Sequence, residues 1–268
     1  MKYGSTTKSF RANPGFRSGF GFCRLAAGLL LVSTLSCRRQ STDDLLEQAM
    51  TAAQAGDWSY ARGYAQSALS RDRNSLDAQH LLGLSHYYMD EQSRAVRLLR
   101  QAAEQADDDF TAQFLYGWIL CENRNFAEAL APLRKAFQLD REHRETTVLL
   151  ARACLEQNLV EGAKYLRLLL AHTEFAERPE VFNALAILWI NELEYGRAHA
   201  FFQQALRRDP DNPVVLQNLA VLHDVYLHDE PTALAYYRRC LSASQRFGDE
   251  VRQQQVRDRL LSLRRSRN

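Results

Sequence analysis

Seven histidines are the first residues to weigh for chemistry, because imidazole is the usual acid–base group near neutral pH and a common metal ligand. Only HDVYLHDE, from His223 to Glu230, brings two of them close together among carboxylates. A metal site would need several of these side chains on one face. His223 falls on the inward face of a predicted helix and His228 near a turn, so packing and solvation account for them more simply than a ligand pair. His86, also inward, reads the same way. No HExxH, GxSxG, phosphate-cradling glycine loop or CxxC pair occurs. Cys121, Cys154 and Cys240 are odd in number and widely spaced, as small buried apolar residues are, not as a disulfide framework is. The expectation is a protein that is not an enzyme and needs no cofactor or metal. A metal-dependent enzyme built on His223 and His228 is the alternative weighed against it.

Cys37 is a different matter. It closes LAAGLLLVSTLSC, whose apolar run of eleven residues, Leu25 to Leu35, is shorter than the roughly 20 needed to cross a bilayer. Residues 1–36 hold five of the 34 basic residues (Lys2, Lys8, Arg11, Arg17, Arg24) and none of the 32 acidic ones. The remainder is therefore slightly acidic, which is not the footprint of a nucleic-acid binder. A basic stretch, a short apolar run and small residues at its end describe a secretory signal. The segment resembles a bacterial lipoprotein signal: Ser36 and Cys37 fit the lipobox, while Thr34 stands where that pattern usually has leucine. The resemblance implies that residues 1–36 are removed, that Cys37 carries the lipid anchor, and that 37–41 form a short linker. It also implies a cell-envelope location. Arg38 after the cysteine points to the periplasmic face of the outer membrane, with a secreted or inner-membrane-anchored protein as the alternative.

The elements that position everything else follow a period. Ala61, Ala95, Ala129, Ala163, Ala198 and Ala233 are separated by 34, 34, 34, 35 and 35 residues. Seven residues after each comes Ala68, Ala102, Ala136, Leu170, Ala205 or Cys240. Twelve to fourteen residues before the last five alanines of the period lie Leu82–Gly83, Tyr116–Gly117, Leu150–Ala151, Leu185–Ala186 and Leu219–Ala220. Small residues at such spacing let two helices of one unit approach closely, and larger apolar neighbours fill the gaps. One such pair cannot bury its own apolar faces, whereas stacked pairs can. GDWSYA at Gly56 is a turn within a unit, and LRRDPDNP, Leu206 to Pro213, ends one helix and caps the next.

WSYARGYAQSALSRD, FAEALAPLRKAFQLD and YGRAHAFFQQALRRDPDNP resemble the second-helix half of tetratricopeptide repeats, and the Leu–Gly/Ala pairs resemble the first. The resemblance implies an all-α, right-handed superhelix (α-solenoid) over residues 42–247. Its six repeats are 42–75, 76–109, 110–143, 144–178, 179–212 and 213–247, and 248–268 form a capping helix and basic tail. Asp249 is the expected N-cap of that helix, and Val256, Leu260 and Leu263 its apolar stripe. Three repeats depart from the pattern and are expected to be less regular. The first has Gln48 in place of leucine, the fourth lacks the Asp–Pro ending, and the sixth has an extra residue around HDEPTA.

In this family the first helix of each repeat lines a concave groove. Carried onto this chain, the groove residues include His80, Leu84, Tyr87, Tyr88, Phe114, Trp118, Arg152, Asn183 and Asn191, with Tyr87, Tyr88, Phe114 and Trp118 as anchors for a protein or peptide partner. The first groove positions are Leu46 and Met50, not the Lys and Asn of members that clamp a C-terminal carboxylate, so such a clamp is not expected. Together the lipobox and the repeats resemble pilotin-type and envelope-assembly lipoproteins. That implies a scaffold assisting a pilus or secretin-type machine; an adaptor that docks peptidoglycan hydrolases is the alternative.

Overall fold

The computed structural model describes residues 40–265. The signal-like segment 1–36 and Cys37 lie outside the described residues. The chain divides into two compact units that meet at Leu139 and Asp140. Among the described residues all regular structure is helical, and no helix is long and apolar enough to cross a membrane.

The first unit consists of α1 (Thr42–Gln54), α2 (Trp58–Arg71), α3 (Leu76–Tyr88), α4 (Gln92–Gln105), α5 (Phe110–Glu122) and α6 (Phe126–Leu139). They form three hairpins, each with a first helix of 13 residues and a second of 14. Starts are set by side-chain caps. Ser41 and Asp44 make a reciprocal capping box, Ser75 accepts from the Ala78 N–H, and Asp109 accepts from the Ala112 N–H. Each hairpin turns on one left-handed residue: Gly56 (φ 82°), Asp90 (φ 63°) and Arg124 (φ 62°). At Asp90 its N–H reaches the Tyr87 carbonyl at 3.0 Å and the Glu91 N–H reaches His86 at 2.8 Å, satisfying carbonyls that the helix end would orphan. The first repeat is as regular as the next two, contrary to expectation, because Gln48 is half-buried at the margin of the core and does not need to be apolar.

The second unit begins with α7 (Arg144–Glu156), α8 (Gly162–Leu170), α9 (Thr173–Ala176) and α10 (Pro179–Asn191). It continues with α11 (Tyr195–Arg208), α12 (Pro213–Val221), a π-helix (Leu222–Tyr226), α13 (Glu230–Arg246) and α14 (Glu250–Arg265). Irregularity appears in the two repeats where it was expected. In the fourth, the second helix stops at Leu170 and a separate turn, α9, follows. In the sixth, the extra residue is absorbed as one π turn, with the Leu227 N–H bonded to the Leu222 carbonyl at 3.0 Å. The hairpin turns again use left-handed residues, Asn158 (φ 55°), Leu193 (φ 61°) and His228 (φ 51°). Asn tolerates this backbone; for leucine it costs about 1–2 kcal/mol.

All six alanines of the period are 3% exposed or less. The residues seven positions on are fully buried except Leu170, which is half-buried. Cys240 is one of them, and burial pushes its thiol pKa up to about 11.

The terminal helix continues the stacking. Arg252 and Arg259 of α14 bind Gln217 and Asp224, in each case 35 residues earlier, the same offset that joins Asn218 to Asn183. By this register α14 takes the place of a seventh first helix. Asp249 caps it, accepting from the Arg252 N–H at 3.0 Å, while Val256 and Leu263 are buried. The buried Leu216, Leu219 and Ala220 have as their counterparts Val251, Gln254 and Gln255, all exposed. Two of these three counterparts are polar, as on the outer face of a capping helix.

Candidate partner-binding site

In the first unit Trp58, at the start of α2, and aromatic residues of α3 and α5 meet. The Trp58 and Tyr88 rings stack with centroids 3.9 Å apart at 11°. Tyr88 meets Tyr87 edge-on at 5.1 Å, and Tyr87 meets Trp118 at 4.6 Å. The Tyr87 hydroxyl donates to Glu122 Oε2 at 3.2 Å. The result is one continuous aromatic run across three hairpins. Tyr88 is its most open member at 46% exposure, and Tyr87, Trp118 and Trp58 are half-buried. Each ring pair contributes about 0.5–1.5 kcal/mol beyond its burial, so the surface is held in shape before anything binds. Trp58 escaped the sequence reading because it opens a second helix. The available signal was a Trp facing the end of the next repeat's first helix.

Other expected groove residues are placed differently. Phe114 is 6% exposed and stacks on Phe110 at 5.7 Å; it is a core residue and does not serve as an anchor. It shares a helix face with Trp118, one turn on, and is covered there by the Phe110 ring. His80 is likewise 6% exposed, and Leu84 is half-buried. In the second unit Arg152 is half-buried. Asn183 accepts from Asn218 Nδ2 at 2.8 Å, both residues being buried. The exposed Asn191 donates to Asn158 at 3.2 Å. Asn183 and Asn191 each join a neighbouring repeat and do not form a pair. A pocket of about 30 Å³ beside Asn183, lined also by Glu180, Asn212, Val214 and Val215, has room for a water or two and not for a small-molecule substrate.

The histidines do not assemble a metal centre: among the described residues no group of three or more His, Cys, Asp or Glu is placed to hold one. His223 is buried, with Nδ1 3.2 Å from Asp229 Oδ2 and its ring 5.4 Å from that of His199, while His228 is exposed. Burial holds the His80 pKa below 6.5, and the carboxylates of Asp109 and Asp77 offset this only partly. Burial also lowers the His199 pKa, helped by the charge of His223. Groups with lowered folded-state values favour folding above the unfolded value, 6.5, and that contribution is lost as pH falls through the folded value. Urea midpoints are therefore expected to fall between about pH 7 and pH 5. His80→Gln should flatten that slope, and an unaltered slope in the variant would refute the assignment.

No family model matches the chain, and no curated protein matches it. Several solved structures do. PilF of Pseudomonas aeruginosa is 22% identical with a TM-score of 0.54, over 81% of this chain and 97% of that one. PilW, a widely conserved type IV pilus biogenesis factor, is 21% identical with a TM-score of 0.55, over 80% and 97%. YrrB, a TPR protein with an unusual peptide-binding site, is 16% identical with a TM-score of 0.58, over 72% and 97%. Likeness at such identities speaks to architecture alone, and with the periodic hairpins it establishes that this chain has the tetratricopeptide-repeat fold.

Proposed function

We propose that the protein is a non-enzymatic protein–protein interaction scaffold that holds an extended peptide or a partner helix against the first helices of its first unit. The observation that carries this reading is the run Trp58–Tyr88–Tyr87–Trp118. Pre-packed, partly open aromatic rings are typical anchors at protein interfaces, giving large contact area at little entropic cost. In the same reading Cys37 is lipidated and tethers the protein to the periplasmic face of the outer membrane, where it assists assembly of a pilus or secretin-type machine. The fold shared with PilF and with the pilus biogenesis factor PilW supports that direction. The peptide-binding site of YrrB supports the mode.

Two measurements test it. Affinity capture from the host envelope, after cross-linking, should yield a defined partner whose recovery falls about tenfold or more when Tyr88 and Trp118 are both replaced by alanine. Helicity by circular dichroism should be retained. An unchanged partner set would remove these rings from the site. Mass measurement of the mature N-terminus should show a lipid-modified Cys37, and Cys37→Ala should abolish membrane retention. An unmodified chain retaining Met1 would overturn the anchor.

A further inference from the structure

Leu193 is out of place twice over. It has the left-handed backbone (φ 61°) that favours glycine or asparagine, and its side chain is 70% exposed. Every hairpin turn uses this backbone, but packing does not account for an exposed leucine in it, and a costly apolar side chain kept at the surface points to something outside the fold. Its surroundings are similar. Val160 and Leu227, at the turns of the repeats before and after, are 41% exposed each. Consecutive turns are side by side: Asn191 bonds Asn158 at 3.2 Å, and the Tyr195 and Tyr226 rings lie 5.4 Å apart. The exposed aliphatic side chains thus line one edge of the second unit. Beside Leu193 stand Glu192 and Glu194, both exposed; Glu194 lies 3.9 Å from the exposed Arg197 of its own helix, which leaves the edge net acidic. At the place of Leu193 the other five turns carry Gly56, Asp90, Arg124, Asn158 and His228, so an apolar residue there is not a property of the repeat as such.

The same unit carries a face of opposite character. On the outer side of α14, Leu261 is 51% exposed. Arg257 and Asp258 precede it by four and three residues, and Arg264 and Arg265 follow by three and four, all exposed; side chains at these offsets share a helix face, and this one is net basic. One surface is aliphatic and net acidic, the other aliphatic and net basic.

We infer that these two surfaces are the halves of a head-to-edge contact between copies of this chain, Leu261 of one copy packing beside Leu193 of the next while the arginines of α14 pair with Glu192 and Glu194. The two halves differ, so the contact is heterologous, and each copy keeps a free edge and a free terminal helix for further copies. This contact is separate from the aromatic run of the first unit, and either can hold without the other.

Sedimentation of the purified full chain in a non-ionic detergent, from about 1 to about 100 μM, tests the inference. The expected result is a mass that rises with concentration past the dimer and falls back when salt is raised to about 0.5 M. Leu193→Asn keeps a residue the left-handed backbone accepts, and Leu261→Gln keeps a good helix former; each variant alone should associate at least tenfold more weakly. Mixed in equal amounts, the two variants should form a dimer and nothing larger, because one intact edge meets one intact terminal helix. A wild type that stays monomeric overturns the inference, as does association that survives either variant or a mixture that fails to restore a dimer. Binding of the wild type to phosphatidylglycerol vesicles that is lost in Leu261→Gln, without self-association, would assign the basic face to a lipid surface instead.

Discussion

Replacing Arg259 with alanine should destabilise the end of the second unit by about 3–5 kcal/mol, the cost of stranding a buried charge. Arg259 Nε and Nη2 donate to the two carboxylate oxygens of Asp224 at 2.6 and 2.8 Å. The Asp224 side chain is only 5% exposed, against 26% for Arg259. The Tyr237 hydroxyl donates to the same carboxylate at 3.0 Å. Burial and then the charge of Asp224 push the tyrosine pKa well up, so it stays a donor. Without the guanidinium, Asp224 would keep one phenol to replace a bidentate partner. Each repeat leans only on its neighbours, so the loss should appear first in α14, as faster amide exchange and earlier urea unfolding there. Removing both charges together with the phenol that donates to the carboxylate, with Asp224→Leu, Arg259→Leu and Tyr237→Phe, should restore most of the loss, since apolar side chains there carry no desolvation cost and leave no buried donor unpaired. An Arg259→Ala protein whose α14 exchanges like the wild type would show the ion pair to be unimportant.

Gly117→Ala should also destabilise, although alanine is ordinarily the better helix former by about 1 kcal/mol. A β-carbon at Gly117 would lie 2.6 Å from both Cγ and Cδ2 of Leu133 and 3.3 Å from its backbone nitrogen. Leu133 is fully buried, so relief requires moving α6 as well as turning a side chain, at a net cost of about 1–3 kcal/mol. The same change at Gly83 meets only the side chain of Leu99, at 2.7 and 2.8 Å, with no backbone atom among its nearest contacts, and should cost less. Shortening the obstructing residue, Leu133→Ala in the Gly117→Ala background, should cost less than Leu133→Ala alone, because the new methyl occupies part of the cavity. Thermal or urea unfolding of the four proteins settles the sign. A stabilised Gly117→Ala would mean the two helices do not approach as closely as described.

The repeat architecture was open to sequence reading because its cause is local and recurs. Alanine or glycine is required wherever two helices of a hairpin touch, and six copies of that requirement write a period of 34–35 residues into the chain. The cap of α14 at Asp249 and its stripe of Val256 and Leu263 were legible for the same reason: both are patterns within one helix. The candidate site was legible only in part. A register of first-helix positions selects Tyr87, Tyr88 and Trp118, yet it selects Phe114 equally and passes over Trp58.

The run of open rings joins residues 30 and 31 positions apart, Trp58 to Tyr88 and Tyr87 to Trp118, and no single-helix pattern contains that information. The same holds for Arg259. In the sequence it is one arginine in a basic run; in the fold it is bound to a carboxylate 35 residues back. Leu193 reads in sequence as an ordinary apolar residue, and only the backbone path, φ 61° in a turn facing solvent, marks it as anomalous. The sequence by itself therefore determined the period and the helices, both set by contacts within a helix or a hairpin. Tertiary structure alone decided which side chains close the core and which remain open to a partner, because that depends on the packing of one repeat on the next.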